Sequence, residues 1–256
     1  MEMTVSMDTT VPAGTMARVP DITFRSDMTV ELVKHAASDA DVIWAARVST
    51  KGEQSLADVN GDTARSAGLI NFLMRDRHGT PFEHSSMTFY VSAPIFVFRE
   101  FMRHRTFSYN EESGRYRKLE PVFYVPGRDR KLVQSGKPGA YVFTEGTAAQ
   151  HKLVTDAVVT SCQESYTAYL EMLDAGVARE VARTVLPVGL YSSMYATCNA
   201  RALMNFLSLR VRDDDATFPS FPQREIEMVA EQMERIWADL MPLTHAAFER
   251  NGRVCP

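Results

Sequence analysis

The 256-residue chain reads as one α+β domain. Three observations lead there. The stretches 28–34 and 84–91 alternate apolar and polar residues, as half-buried strands do. Val154, Val158, Cys162, Tyr166, Tyr169 and Leu173 form a stripe at helical spacing, long enough for a major amphipathic helix. No internal repeat and no clear linker divides the chain, and the helical surface left over suits self-association.

The elements follow in order. Residues 1–20 are rich in Thr, Met, Pro and Gly without an apolar period, so they read as a flexible tail, and the fold is expected to begin near Asp21. Ser38 or Asp39 is placed to cap a helix running to about Val48. Asp62 is placed to cap a second, with Leu69, Phe72 and Leu73 on one side and Gly79 as its stop. After the strand at 84–91, Pro94 suits the first turn of a helix that carries Ile95, Phe98 and Met102 and ends near Arg105. Gly127, Gly136, Pro138, Gly139 and Gly146 make 126–146 read as a loop. The long helix is predicted over about 147–174, ended by Gly176. A short helix at 178–186 stops at Pro187, and 193–212 reads as another helix. Pro219 and Pro222 break the chain. The last main helix covers about 223–240, with Ile226, Val229, Met233, Ile236 and Leu240 inward, and Pro242 stops it.

Composition excludes more than it selects. Lys and Arg number 28 against 32 Asp and Glu, a net charge of −4, which argues against a protein that coats nucleic acid. Three cysteines are too few for a disulfide scaffold and suit a reducing compartment. No run is long and apolar enough to span a membrane, and no basic-then-apolar leader opens the chain. These features predict a soluble, globular, cytoplasmic protein. The average hides two cationic stretches: 103–118 has five basic and two acidic residues, and 179–212 has five arginines and one acid.

The densest chemistry lies at 103–117, where Arg103, His104, Arg105, Arg115 and Arg117 are interleaved with Phe107, Tyr109 and Tyr116. Guanidinium forks suit phosphate or a planar pair of oxygens, and Ser113-Gly114 adds a hydroxyl and an unobstructed backbone N–H. A solvated basic loop, or a non-catalytic nucleotide- or RNA-binding module, would show the same composition. In the helix after Cys198, Arg201, Asn205, Ser208 and Arg212 share a polar face, while Arg210 continues the apolar stripe of Leu203 and Leu207. An arginine there needs a partner, either a carboxylate or a ligand. His78, Glu83 and His84 invite a metal-dependent hydrolase, but their spacing is not that of a zinc helix, so no metal is expected. Cys162 falls on a helix stripe as a core residue would, and Cys198 lies beside Asn199, where a ligand could approach. No glycine-rich dinucleotide fingerprint or Walker-type loop occurs.

Arg103-His104-Arg105, seven intervening residues and then Ser113 resemble the signature of the flavin-dependent thymidylate synthases. Ala45-Ala46-Arg47-Val48-Ser49, Thr80-Pro81-Phe82-Glu83-His84, Tyr109-Asn110-Glu111, Ser113-Gly114-Arg115-Tyr116, Val181-Ala182-Arg183 and Asn199-Ala200-Arg201 are similar to family segments, in family order, over about 28–240. The resemblance implies a catalytic domain over 21–250 with a central, mostly antiparallel sheet and flanking helices. It implies a homotetramer with sites between subunits, and methylation of dUMP to dTMP. Methylenetetrahydrofolate would give the carbon, and FAD reduced by NADPH the hydride. By position it implies dUMP contacts at Glu100, Arg103, Glu111, Ser113, Gly114, Arg115, Arg183 and Arg210. Arg210 would be the catalytic residue that favours the N3-deprotonated uracil. Flavin contacts are implied at Thr80, Arg103, His104, Arg105, Glu111, Asn199, Arg201 and Asn205, with Ser49, His78 and Glu83 as weaker flavin- or folate-side positions. Two departures stand out. Glu100 occupies a position where some relatives carry glutamine, and 213–219 replaces a shorter segment that in some relatives holds a histidine.

Overall fold

A computed structural model describes residues 21–52, 63–138 and 140–256. The strands are β1 (Thr23–Arg25), β2 (Thr29–Ala36), β3 (Ser86–Pro94), β4 (Ser108–Glu111), β5 (Val122–Tyr124), β6 (Val133–Lys137), β7 (Ala140–Thr144) and β8 (Tyr191–Cys198). The α-helices are α1 (Asp39–Lys51), α2 (Thr63–Arg75), α3 (Ile95–Phe101), α4 (Ala148–Asp174), α5 (Arg179–Ala182), α6 (Ala200–Arg210), α7 (Arg224–Leu240) and α8 (Pro242–Arg250).

The central sheet has the order β2-β3-β8-β4 and every neighbouring pair is antiparallel. It closes because alternate residues of β3 and β8 are apolar and in register: Met87, Phe89 and Val91 lie opposite Cys198, Ala196 and Met194, all buried. On the other face the Thr88 and Thr197 hydroxyls bond at 2.9 Å, and the Tyr90 and Tyr195 rings meet edge-on. The inner face shares one apolar cluster with Leu203, Phe206 and Leu207 of α6 and with Ile226, Val229, Met233 and Trp237 of α7. A second, smaller cluster gathers Cys162, Tyr166 and Tyr169 of α4 around Leu119, Phe123 and Leu190. There the Tyr166 hydroxyl donates to the Leu119 carbonyl at 2.9 Å, and the Leu119 N–H donates to the Tyr169 hydroxyl at 3.2 Å. These two bonds pin the backbone that follows Ser113–Arg117.

Several local expectations hold. α1 starts after Ser38, whose N–H donates to Asp41 at 2.7 Å. α4 starts after Thr147, which exchanges bonds with Gln150, and Gly176 ends it in the left-handed region. The expected tail and the Asp62 cap lie outside the described residues.

Others need correction. Residues 191–198 are a strand, not the start of a helix, and the helix begins only after Asn199, whose side chain accepts from Ala202 N–H. Arg212 therefore lies beyond the helix and shares no helical face with Arg201. The expected loop at 126–146 contains the β6–β7 hairpin. α3 stops at Phe101, and Met102 is exposed. α2 ends without glycine: Arg77 takes the left-handed position (φ 62°), and the His78 N–H reaches back to the Leu73 carbonyl at 2.9 Å. Pro242 ends α7 and also opens α8, whose first N–H groups donate to the Asp39 carboxylate at 2.9 Å. No described helix is long and apolar enough to cross a membrane.

Candidate active site

The expected residues fall into three neighbourhoods. The first forms where α3 ends against the end of α6. The Arg210 Nη1 donates to Glu100 Oε2 at 2.5 Å, and its Nε donates to His104 Nε2 at 3.1 Å. The arginine on the apolar stripe is thus paired, and its partner is a carboxylate of the same chain. Because His104 Nε2 accepts, the imidazole is neutral with its proton on Nδ1. Burial, helped by the adjacent Arg210 charge, pushes its pKa down to about 4. The ring packs edge-on against Phe206 and Phe107. Burial raises the Glu100 pKa, with Arg210 opposing and Glu225 adding to it. Glu100 Oε1 is buried and has no hydrogen-bond partner among the described residues. On either side of His104, Arg103 and Arg105 are exposed, and neither side chain makes a hydrogen bond or ion pair among the described residues.

The second neighbourhood joins the end of β4 and the turn that follows it to α5 and Arg183 just after it. Glu111 accepts from the Ser192 hydroxyl at 2.8 Å, and its pKa is raised, chiefly by desolvation, with the Ser192 bond opposing. Ser113 Oγ accepts from Arg115 N–H at 3.3 Å. A Cβ on Gly114 would sit 2.8 Å from Leu119 Cδ1 and 3.3 Å from Arg183 Cδ, so glycine is what lets Leu119 pack against this turn, with Arg183 alongside. The Arg115 Nε donates to Glu180 at 2.9 Å on the surface.

The third neighbourhood is a 3-10 turn, Thr80–Glu83, against the first turn of α6. Glu83 bonds Arg201, so two expected flavin contacts hold each other. Thr80 and Asn205 are exposed, and the Asn199 side chain is engaged as the α6 cap. His78 stacks on Phe72, His84 meets Trp44 edge-on, and Ser49 bonds the Ala46 carbonyl within α1. His78, Glu83 and His84 are therefore spread over different partners. Among the described residues, the His/Glu group whose ligand atoms do converge is Glu234, His245 and Glu249, and Arg253 already bonds both of its carboxylates at 2.7 Å.

Cys198 is buried in the sheet, where desolvation pushes its thiol far up, so it faces no ligand. Phe107 and Tyr109 stack on each other in the core, and of the three aromatics that suggested base stacking only Tyr116 is strongly exposed, at 77%. A cavity of about 370 Å³ between the β6–β7 hairpin and the start of α7 is lined by none of the expected residues. A second, about 230 Å³, is lined by Glu111 together with Asn110, Glu112 and Tyr195. Sequence reasoning missed Gly79, Ser192 and Glu180. Only Gly79 leaves a readable signal, a glycine directly before Thr80-Pro81.

The family profile described as Thymidylate synthase complementing protein matches residues 31–243. The flavin-dependent thymidylate synthase of Streptomyces avermitilis is 71% identical over 234 residues, covering 91% of this chain and 95% of that one. The enzyme of the same name from Thermotoga neapolitana is 41% identical over 219 residues, covering 86% and 89%. Among solved structures, the UMP/dUMP methylase PolB from Streptomyces cacaoi bound with 5-Br dUMP is 56% identical, with a TM-score of 0.87 over 92% of this chain and all of that one. PolB bound with 5-Br UMP superimposes with a TM-score of 0.86. With the family profile matched over residues 31–243 and 71% identity to the Streptomyces avermitilis enzyme, this chain belongs to the flavin-dependent thymidylate synthase family.

Proposed function

We infer that the chain converts dUMP to dTMP, with methylenetetrahydrofolate as carbon donor and FAD, reduced by NADPH, as hydride source. The observation that carries the reading is Arg210. Its Nη1 and Nε are occupied by Glu100 and His104, so the guanidinium is fixed in orientation before a ligand arrives. A fixed cation beside the uracil lowers the N3–H pKa, and the resulting anion pushes electron density to C5, the atom that must be alkylated. A neutral His104 suits this role, since a second cation would repel Arg210.

The remaining contacts are those the family resemblance implies, and their donor chemistry suits them. Arg183, Arg115 and the backbone around Ser113-Gly114 suit the nucleotide phosphate. Ser113 serves binding: no described histidine bonds its hydroxyl to make it a nucleophile. Arg103, Glu111 and Glu100, whose Oε1 has no other partner, complete the dUMP set. Thr80, His104, Arg105, Asn199, Arg201 and Asn205 form the flavin set with Arg103 and Glu111, and Ser49, His78 and Glu83 border it. The residues fit a phosphate-bearing flavin: the Arg103 and Arg105 side chains are uncommitted cations among the described residues, and Gly79, lacking a Cβ, lets the Arg201 guanidinium lie against the turn before Thr80. Reduced flavin, when bound, supplies the hydride that completes the methyl group.

The first and third neighbourhoods sit at opposite ends of α6, and the second on β4 and the turn after it. The exposed Val181, Val185 and Val188 near Arg183 support a homotetramer in which sites form between subunits. Three unpaired cysteines suit a cytoplasmic setting. The experiment is flavin uptake. Purified protein is expected to carry flavin absorbance or to quench the fluorescence of added FAD at one equivalent per chain, and protein that stays colourless and quenches nothing would overturn the reading.

A further inference from the structure

The 253–256 segment runs beside α6 and grips Arg201 twice. The Arg201 Nε donates to the Pro256 backbone oxygen at 2.8 Å, and the Cys255 thiol donates to the Arg201 carbonyl at 3.3 Å. The segment is itself held, because Arg77 Nη2 donates to the Cys255 carbonyl at 2.8 Å from the left-handed turn that ends α2. On the opposite side Glu83 takes Nη1. Below the guanidinium lies Gly79, where a Cβ would sit 2.6 Å from both Cζ and Nε. Nη2 is left without a hydrogen bond among the described residues, at the first turn of α6.

We propose that Gly79 and the Cys255–Pro256 segment are positioning elements for Arg201, holding its guanidinium so that Nη2 receives a phosphate of the flavin dinucleotide. This rests on the flavin reading above. Without the brace, a long arginine side chain must be immobilised when the ligand binds, which weakens binding about tenfold for one rotamer-rich side chain.

Gly79 offers a clean perturbation. Its backbone (φ −72°, ψ −33°) lies in the right-handed helical region open to any residue, so alanine there strains no backbone and displaces only the guanidinium. The test compares the full chain, Gly79→Ala and a chain ending at Val254, by titrating FAD with fluorescence quenching, titrating dUMP by calorimetry and recording melting curves. The expected result is FAD binding weakened about tenfold in both variants, with dUMP affinity and melting temperature unchanged. If the shortened chain fails to fold, Gly79→Ala decides alone. Variants that bind FAD as tightly as the parent overturn the inference, as does an equal loss of FAD and dUMP binding, which would mark a general structural role. A parent that takes up no FAD overturns the flavin reading and this inference with it.

Discussion

Lowering the pH from 7 to 4.5 should destabilise this protein through one buried ring. His104 is 5% exposed and its Nε2 is already the acceptor for Arg210, so a proton has no place on it in the folded chain. Its folded pKa is about 4, against 6.5 when unfolded. Between those values the unfolded chain binds a proton that the folded chain refuses. The stability contributed by the neutral ring is therefore complete above about pH 6.5 and is lost as the pH falls toward 4. At about 1.4 kcal/mol per pH unit, the whole loss amounts to about 3 kcal/mol. Other groups titrate in this window too, including Glu100, whose raised pKa acts in the opposite direction. The comparison with His104→Gln isolates the ring, because glutamine can accept from Arg210 without titrating. Urea unfolding at half-unit pH steps is the assay. The variant is expected to be less stable at pH 7, where it loses the ring packing on Phe206, and to approach the parent as the pH falls. Two curves that stay parallel from pH 7 to 4.5 would refute the reasoning.

Three further outcomes are expected. Arg103→Ala and Arg105→Ala should each change stability by less than about 0.5 kcal/mol, since neither side chain has a described partner. Both should weaken binding of FAD or dUMP in titrations of the folded variants. Gly114→Ala forces a Cβ to within 2.8 Å of Leu119 Cδ1, so it should weaken dUMP binding and lower the melting temperature together. Tyr166→Phe leaves the Leu119 carbonyl without its hydroxyl partner inside the α4 cluster, and should cost about 1–3 kcal/mol in urea unfolding.

What could be read from the chain depended on the distance between interacting residues. The caps of α1 and α4 were legible because donor and acceptor lie three residues apart, as Ser38 with Asp41 and Thr147 with Gln150. The Gly176 stop and the inward stripe of α7 are equally local. β8 reads as helix from sequence because its pairing partners are remote: Met194 meets Val91 and Glu111, and nothing within 191–198 reveals that it will be an interior strand. α8 was missed for the same reason, its first turn being capped by Asp39 some 200 positions earlier. The site shows the same division. Arg210 on an apolar stripe announced that it needed a partner, but only the fold brings up Glu100 and His104, more than 100 residues away. Arg201 announced an exposed cation, whereas its restraint by Glu83, Gly79 and Pro256 exists only in three dimensions.

The most direct test of the central claim is formation of dTMP from dUMP by the FAD-loaded protein with NADPH and methylenetetrahydrofolate, alongside Arg210→Ala. The account predicts dTMP that depends on every component, and at least a hundredfold loss in the variant, of the order found when a fixed charge-stabilising donor is removed. No dTMP from the parent would contradict the account, and so would a variant that keeps the parent's rate.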